Sequence, residues 1–324
     1  MNNTAVYIAK PSPGMEQVMI DLCPPEIDLK FLHPTNGKQG TLEEASVLLV
    51  NSVKVTAEVM DQAPNLRLIQ TCSAGFNNID LEAAKARNLI VANCAGENGT
   101  TTAEMAIALM LATYRRLCQV NNLMKKGEWH QFTWRHDSYE LRGKTVGIIG
   151  AGFCGRAVMQ RLAGWEVNII YSDPYRMPVD VEERLHATYV DMETLFREAD
   201  IVSLHCPLND STRGLVNKKY LSLMKKTAII VNEARGAVVN EADLIEALQN
   251  GTIWGAGLDC WETEPVDVSN PLLHMEKVVT TSHLGGSTYD ALRRMMETAY
   301  GNVCNLYEGK PLKNVIVGSC CNDF

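Results

Sequence analysis

The chain has 324 residues, 46% of them hydrophobic and 21% charged, with a formal net charge of −8. That length points to two domains, each large enough to bury its own core. The acidic balance and the lack of any Lys/Arg block argue against a nucleic-acid partner, and no stretch reaches the ~20 apolar residues of a membrane helix.

The first strand candidate is residues 6–9, inside the run Ala5-Val6-Tyr7-Ile8-Ala9. No basic region precedes it, so it reads as a strand and not as a signal peptide. Further β-branched runs follow at 47–50, 66–71 and 89–93, with a helix pattern at 80–87. Such alternation predicts a parallel α/β sheet. A long helix pattern spans 101–126, with Thr100 or Thr101 as cap, Glu104 in its first turn and Lys125-Lys126-Gly127 at its end. It reads as one element carrying the chain from the first domain to the second.

From Lys144 the alternation resumes at 145–149, 167–172, 201–205, 228–232, 254–259 and 278–281. Six strands with intervening helices make a dinucleotide-binding sheet. Asn240 and Asp243 suggest a capping box, and Gly251 a helix stop. A helix pattern at 287–308 mirrors the one at 101–126, and 314–317 is a last strand candidate. The expected fold class is α/β, with two doubly wound parallel-sheet domains. Residues 1–100 plus 288–324 would form one discontinuous domain, and 101–287 the other, inserted within it. The ten cysteines show no repeated CxxC spacing. Cys72, Cys94, Cys118, Cys206 and Cys260 sit in apolar runs and read as free buried thiols of a reducing cytoplasm. Cys320-Cys321 reads as incidental, and no metal site is expected.

Gly150-Ala151-Gly152-Phe153-Cys154-Gly155 fits G-x-G-x-x-G between a strand and a helix pattern at 157–162. Gly150 permits the tight turn, Gly152 lets backbone approach a pyrophosphate, and Gly155 allows close helix–strand packing. Asp173 ends the next strand, about 20 positions on, where adenosine ribose hydroxyls are held. A carboxylate there repels a 2′-phosphate, which favours NAD, although Arg176 lies nearby.

Three polar residues follow later strands: Arg235, Glu264 and His283. Ligands of open α/β sheets bind past the strand ends. Oxidising a 2-hydroxy acid requires removal of the hydroxyl proton as hydride leaves carbon 2. His283 suits that transfer, Glu264 would favour its imidazolium, and the planar fork of Arg235 can grip a carboxylate.

These segments identify a resemblance over essentially the whole length to the D-isomer-specific 2-hydroxyacid dehydrogenases, in their phosphoglycerate dehydrogenase-like branch. Asn232-Glu233-Ala234-Arg235-Gly236 resembles the family's substrate-arginine segment. Gly257-Leu258-Asp259-Cys260-Trp261-Glu262-Thr263-Glu264-Pro265 resembles the segment whose Glu partners the catalytic His and whose Asp meets the nicotinamide end. Ser282-His283-Leu284-Gly285-Gly286-Ser287-Thr288 resembles the catalytic-His segment, and 73–80 the loop whose amides hold the substrate carboxylate. The resemblance implies a flavodoxin-like substrate domain, a Rossmann domain that binds NAD, a cytoplasmic enzyme and a homodimer. It places Phe153 and Cys154 at the pyrophosphate, and Cys206 and Pro207 beside the adenosine. Ala74, Thr102, Glu233, Ala234, Asp259, His283 and Gly286 would lie at the nicotinamide half. Asn51, Cys72, Ser73, Ala74, Gly75 and Phe76 would meet the substrate with Arg235, and Trp134 would touch a partner subunit.

Three departures stand out. Glu233 occupies a position where Cys or Thr is more usual. Asn51 and Thr71 stand where phosphoglycerate dehydrogenases carry phosphate-binding arginines, with Lys54 the only basic residue nearby. The expected substrate is therefore a small 2-hydroxy/2-oxo acid of the glyoxylate or hydroxypyruvate kind, ahead of 3-phosphoglycerate. The alternative is an NAD-sensing, non-catalytic corepressor-like protein on the same fold. Formate oxidation is disfavoured, because formate dehydrogenases have Gln at the position of Glu264.

Overall fold

The computed structural model describes residues 3–318. Contacts divide the chain into two compact units, one ending at Asn98 and resuming at Thr288, the other Gly99–Ser287. In chain order the first unit contains β1 (Thr4–Tyr7), α1 (Pro13–Leu22), β2 (Asp28–Phe31), β3 (Val47–Val50), α2 (Ala57–Asp61), β4 (Leu68–Thr71), α3 (Leu81–Ala86) and β5 (Ile90–Ala92). The second runs α4 (Gly99–Tyr114), α5 (Leu117–Lys125), β6 (Thr145–Ile149), α6 (Phe153–Leu162), β7 (Asn168–Ser172), α7 (Val179–Leu185), β8 (Ala187–Tyr189), α8 (Met192–Glu198) and β9 (Ile201–Leu204). It continues with α9 (Lys218–Leu221), β10 (Ile229–Asn232), α10 (Glu241–Gln249), β11 (Gly255–Leu258) and β12 (Val278–Thr280). The chain returns to the first unit with α11 (Tyr289–Glu308) and β13 (Val315–Val317).

The first unit's sheet has the order β13-β5-β4-β3-β1-β2. It is parallel except that β13 pairs antiparallel with β5. Helix α11 covers one face by burying Ala291, Met295, Met296, Ala299, Tyr300, Val303 and Leu306 against strand residues Tyr7, Leu49 and Leu68. Thr288 caps its start by accepting from the Ala291 amide, and Gly309, at φ 68°, ends it.

The second unit's sheet is β12-β11-β10-β9-β6-β7-β8, parallel at every pairing. Its strands β9, β10 and β11 are buried along their whole length, which is why they read as mostly apolar runs broken only by Ser203 and Asn232. The register aligns their ends. Ile149 pairs with Ser172 and Leu204, Asn232 with Leu204 and Leu258, and Leu258 with Thr280. Gly150, Asp173, His205, Glu233, Asp259 and Thr281 are therefore the first residues past one sheet edge.

Several expectations need correction. The helix expected at 101–126 is two helices, broken at Arg116 in left-handed conformation (φ 50°). The Arg116 side chain is 4% exposed, pairs with Asp137 and lies 5.3 Å over the Trp254 ring. That buried anchorage offsets the ~1 kcal/mol cost of a left-handed non-glycine residue. Thr100 and Thr101 lie inside α4, which starts at Gly99, so neither caps it. Asn240 accepts from the Asp243 amide, while Asp243 accepts from the Lys218 amide; that cap is one-sided. The second sheet has a seventh strand, β8, and the first has β2, neither of them expected. Cys118 is exposed, whereas Cys72, Cys94, Cys206 and Cys260 are buried free thiols. Cys320-Cys321 lies outside the described residues. Among the described residues no helix is long and apolar enough to cross a membrane.

Candidate active site

The residues past the second sheet's edge stand at the ends of parallel strands, where open α/β sheets bind their ligands. The reversal of strand order falls between β6 and β9. There a Cβ on Gly150 would meet the Cys206 amide nitrogen at 2.7 Å, and one on Gly155 would meet Gly150 O at 2.0 Å. Gly155 therefore admits no side chain: the first turn of α6 rests directly on the glycine turn. A Cβ on Gly152 would meet nothing within 4 Å, and no side chain caps α6. Backbone amides at this helix start face open space, the arrangement a pyrophosphate requires. Phe153 is 68% exposed beside them.

Asp173 accepts from the Ala151 amide at 2.7 Å and the Tyr175 amide at 2.8 Å, tying the glycine turn to the end of β7. Arg176 does not face it. Its guanidinium makes two 2.9 Å bonds to Glu182, and that pairing, with Tyr171, holds the Glu182 carboxyl down at about 2. Arg176, the cation that could have received a 2′-phosphate, is thus engaged elsewhere. Cys206 is buried and Pro207 exposed past β9. Burial lowers the preceding His205 imidazole to about 4.

On the other side of the strand-order reversal, Asn232 shapes the turn after β10. Its side chain accepts from the Ala234 amide at 3.0 Å and donates to Arg235 O at 3.1 Å. Arg235 Nη1 donates to Ala234 O at 2.6 Å. A Cβ on Gly236 would lie 1.8 Å from the Trp261 carbonyl carbon. The turns after β10 and β11 are thus in backbone contact, which fixes Arg235 relative to the Glu264 loop. That loop is pinned in turn: Trp261 N–H donates to Glu264 Oε1 at 3.1 Å, and Trp261 Nε1 donates to Thr281 O at 3.0 Å.

Glu264 Oε2 lies 2.8 Å from His283 Nδ1. His283 takes a left-handed backbone (φ 58°), and its amide donates to Asp259 O at 2.8 Å. Its Nε2 has no bonded partner among the described residues, and the side chain is 41% exposed. A carboxylate on one nitrogen fixes the ring and the tautomer, leaving the other nitrogen to exchange a proton with a ligand. The Cys260 Sγ joins these two groups within 4.8 Å. Burial pushes that thiol far up, so it remains protonated, and it donates to Ala234 O at 3.5 Å. Asp259 is buried and accepts from the Leu284 and Gly285 amides, both at 2.7 Å, and from the Thr281 hydroxyl at 2.5 Å. Thr102 on α4 is buried and hydrogen-bonded to the Cys154 thiol. Gly286 lies just beyond this cluster.

In the first unit, the loop after β4 has its carbonyls engaged. Ser73 O accepts from Thr71 Oγ1 and the Cys94 amide, Ala74 O from Asn93 Nδ2, and Gly75 O from Ser73 Oγ. Among the described residues the amides of Ala74, Gly75 and Phe76 donate to no other group. Asn51 is half-buried, with its carbonyl taken by Asn78. Sequence reasoning missed Asn232 and Thr281, which position Arg235 and Asp259. The Asn at the strand end was visible, but its bonds to positions two and three residues on were not.

Residues 107–285 match the D-isomer specific 2-hydroxyacid dehydrogenase, NAD binding domain. A glyoxylate reductase of Thermococcus litoralis is 39% identical over 84% of this chain and 83% of its own length. The chain belongs to the D-isomer specific 2-hydroxyacid dehydrogenases. A D-3-phosphoglycerate dehydrogenase of Archaeoglobus fulgidus is 37% identical over 84% of this chain, but the match spans only 51% of that longer protein. Among solved structures, the TT0316 protein of Thermus thermophilus superposes with a TM-score of 0.84 at 31% identity, covering 97% of this chain and 100% of that one. As a member of this family the protein is an NAD-dependent oxidoreductase whose substrate is a small molecule, a 2-hydroxy or 2-oxo acid. The glycine turn, the uncapped helix start and the Asp173 carboxylate past β7 all fit NAD.

Proposed function

We propose that this protein reduces a small, unphosphorylated 2-oxo acid of the glyoxylate or hydroxypyruvate type, with Arg235, Glu264 and His283 as its catalytic residues. The observation that carries the reading is the 2.8 Å His283–Glu264 pair, held at the same sheet edge as Arg235. When bound, the nicotinamide supplies or accepts the hydride at carbon 2. Arg235 grips the carboxylate and polarises the 2-oxo group. His283 Nε2 delivers a proton to the oxygen in reduction and removes it in oxidation. Glu264 holds the imidazole in place and stabilises its protonated form. Asp173 receives the adenosine ribose hydroxyls, the 150–155 turn the pyrophosphate, and Cys206 and Pro207 the adenosine.

In the first unit, Asn51, Ser73, Ala74, Gly75 and Phe76 are proposed as substrate-binding residues, with Cys72 beside them. Asn51 and Thr71 support a small substrate, because neither offers a phosphate the bidentate cationic contact it needs. Thr71 Oγ1 is moreover spent on Ser73 O at 2.7 Å. The name of the Thermococcus relative points the same way. A homodimer is proposed from the second unit, where Leu117, Met124, Trp129 and Phe132 leave apolar side chains exposed on and after α5. Trp134 is half-buried against His130 and Arg116, and its place at a partner subunit is part of this proposal. A cytoplasmic location is proposed from the free thiols.

His283→Ala is expected to lower kcat roughly 10²–10⁴-fold, and Arg235→Ala to abolish turnover. Both should bind NADH as the parent does, by fluorescence titration. A His283→Ala enzyme at parental rate would sink the mechanism. A parent inactive toward a panel of 2-oxo acids, yet still binding NADH, would favour the NAD-sensing alternative.

A further inference from the structure

Three buried side-chain polar atoms among the described residues lack a hydrogen-bond partner, and Glu233 Oε1 is one of them. Glu233 is 7% exposed. It is the first residue past β10, in register with Asp259 past β11. A Cβ on Gly285 would lie 2.3 Å from Glu233 Oε2 and 3.1 Å from Asp259 Oδ2, so both carboxyls crowd the same glycine.

The two acids are held differently. Asp259 has two amides and a hydroxyl on its oxygens. Among the described residues no donor reaches Glu233 Oε1. Burial first, and then the Asp259 charge, push the Glu233 carboxyl up to about 9. Glu16 shows what this chain does when it buries an ionised carboxylate. It is fully buried, yet the amides of Gly37, Thr35 and Asn36 outweigh the desolvation and hold it below its usual value. Glu233 has no such cradle and stands as a neutral acid. The other titratable groups near it are the Cys154 and Cys260 thiols, both raised by burial and neutral, with the Arg235 and Glu264 charges acting on that cluster.

Position adds the rest. Asp173 past β7 marks the adenosine half of the site and the glycine turn past β6 its phosphates. A dinucleotide then continues past the ends of β9 and β10, where Glu233 stands. Resting on the reading of this sheet edge as the NAD site, we propose that Glu233 selects between the cofactor's redox forms, binding NAD⁺ with release of a proton and NADH without one. The oxidised ring is cationic and is stabilised by a carboxylate beside it; the reduced ring is neutral and is not. Coupled this way, NAD⁺ tightens as pH rises while NADH does not.

The test is binding, independent of turnover. NADH affinity is read from its fluorescence and NAD⁺ affinity by displacement, between pH 7 and 9. The expectation is a Kd for NAD⁺ that falls roughly tenfold over that range, with NADH changing less than about twofold. An indicator dye in weak buffer should register up to one proton released per NAD⁺ bound and none per NADH. Glu233→Gln and, as a second neutral variant, Glu233→Thr should abolish both the slope and the proton release. A flat NAD⁺ profile in the parent overturns the proposal, as does a slope that survives in both variants. Failure of the parent to bind either nucleotide would instead reject the NAD site itself.

Discussion

Glu233 also has a stability signature at the level of the single side chain. In the unfolded chain its carboxyl ionises near the ordinary 4.5, while in the fold it does so at about 9. Between those values the unfolded state sheds a proton that the folded state keeps. This group therefore subtracts from stability increasingly as pH rises from 4.5 toward 9. Glu233→Gln removes the penalty. The variant, free of cofactor, should be more stable than the parent at pH 8 by roughly 1–3 kcal/mol, with the difference closing near pH 5. Thermal unfolding at the two pH values checks this; a variant less stable at pH 8 would contradict it. None of it was legible in the chain. A Glu between Asn and Ala reads as a charge, and only the packing of Gly285 and Asp259 reveals that it is not one. That Arg235, Glu264 and His283 lie past strand ends was legible, because each follows a largely apolar run bounded by turn residues.

At the scale of the element, legibility followed burial. Strands β9, β10 and β11 are buried along their whole length, so their sequences are mostly apolar, with Ser203 and Asn232 as the buried polar exceptions. Strand β8 buries only the first of its three residues, and β2 alternates Asp and Lys with Leu and Phe at a sheet edge; neither is long enough to announce itself. The break at Arg116 was hidden for another reason. No Gly or Pro marks it, and its cause, the Asp137–Trp254 environment, lies far along the chain. The contact between the turns after β10 and β11 gives the sharpest prediction at this scale. Gly236→Ala places a methyl into the Trp261 backbone, which cannot rotate away. Loss of about 1–3 kcal/mol in urea unfolding is expected. A fall in kcat larger than the change in NADH affinity should accompany it, since Arg235 and Glu264 would part while the glycine turn stays whole. Parental stability and rate would show that the turns do not bear on each other.

For the whole molecule, the apolar side chains on and after α5 set the expectation. Trp129 is 73% exposed and Phe132 59%, an unusual surface for a monomer. The proposed homodimer predicts that Trp129→Ser with Phe132→Ser shifts sedimentation from dimer toward monomer in analytical ultracentrifugation. A parent that sediments as a monomer would remove the basis for a partner at this face.

The way the chain leaves one unit and returns to it also orders its synthesis. Residues 99–287 form their unit from one continuous stretch that precedes α11 and β13. The earlier unit must wait. Met19, Phe31 and Leu49 share their core with Met296, Tyr300 and Val303, so a sheet made first stays without its covering helix until the chain beyond the second unit has been made. During that interval its apolar face is open to chaperones and to other nascent chains. A stop codon just after Ser287 would thus leave the later-made unit whole and the earlier-made one without part of its core.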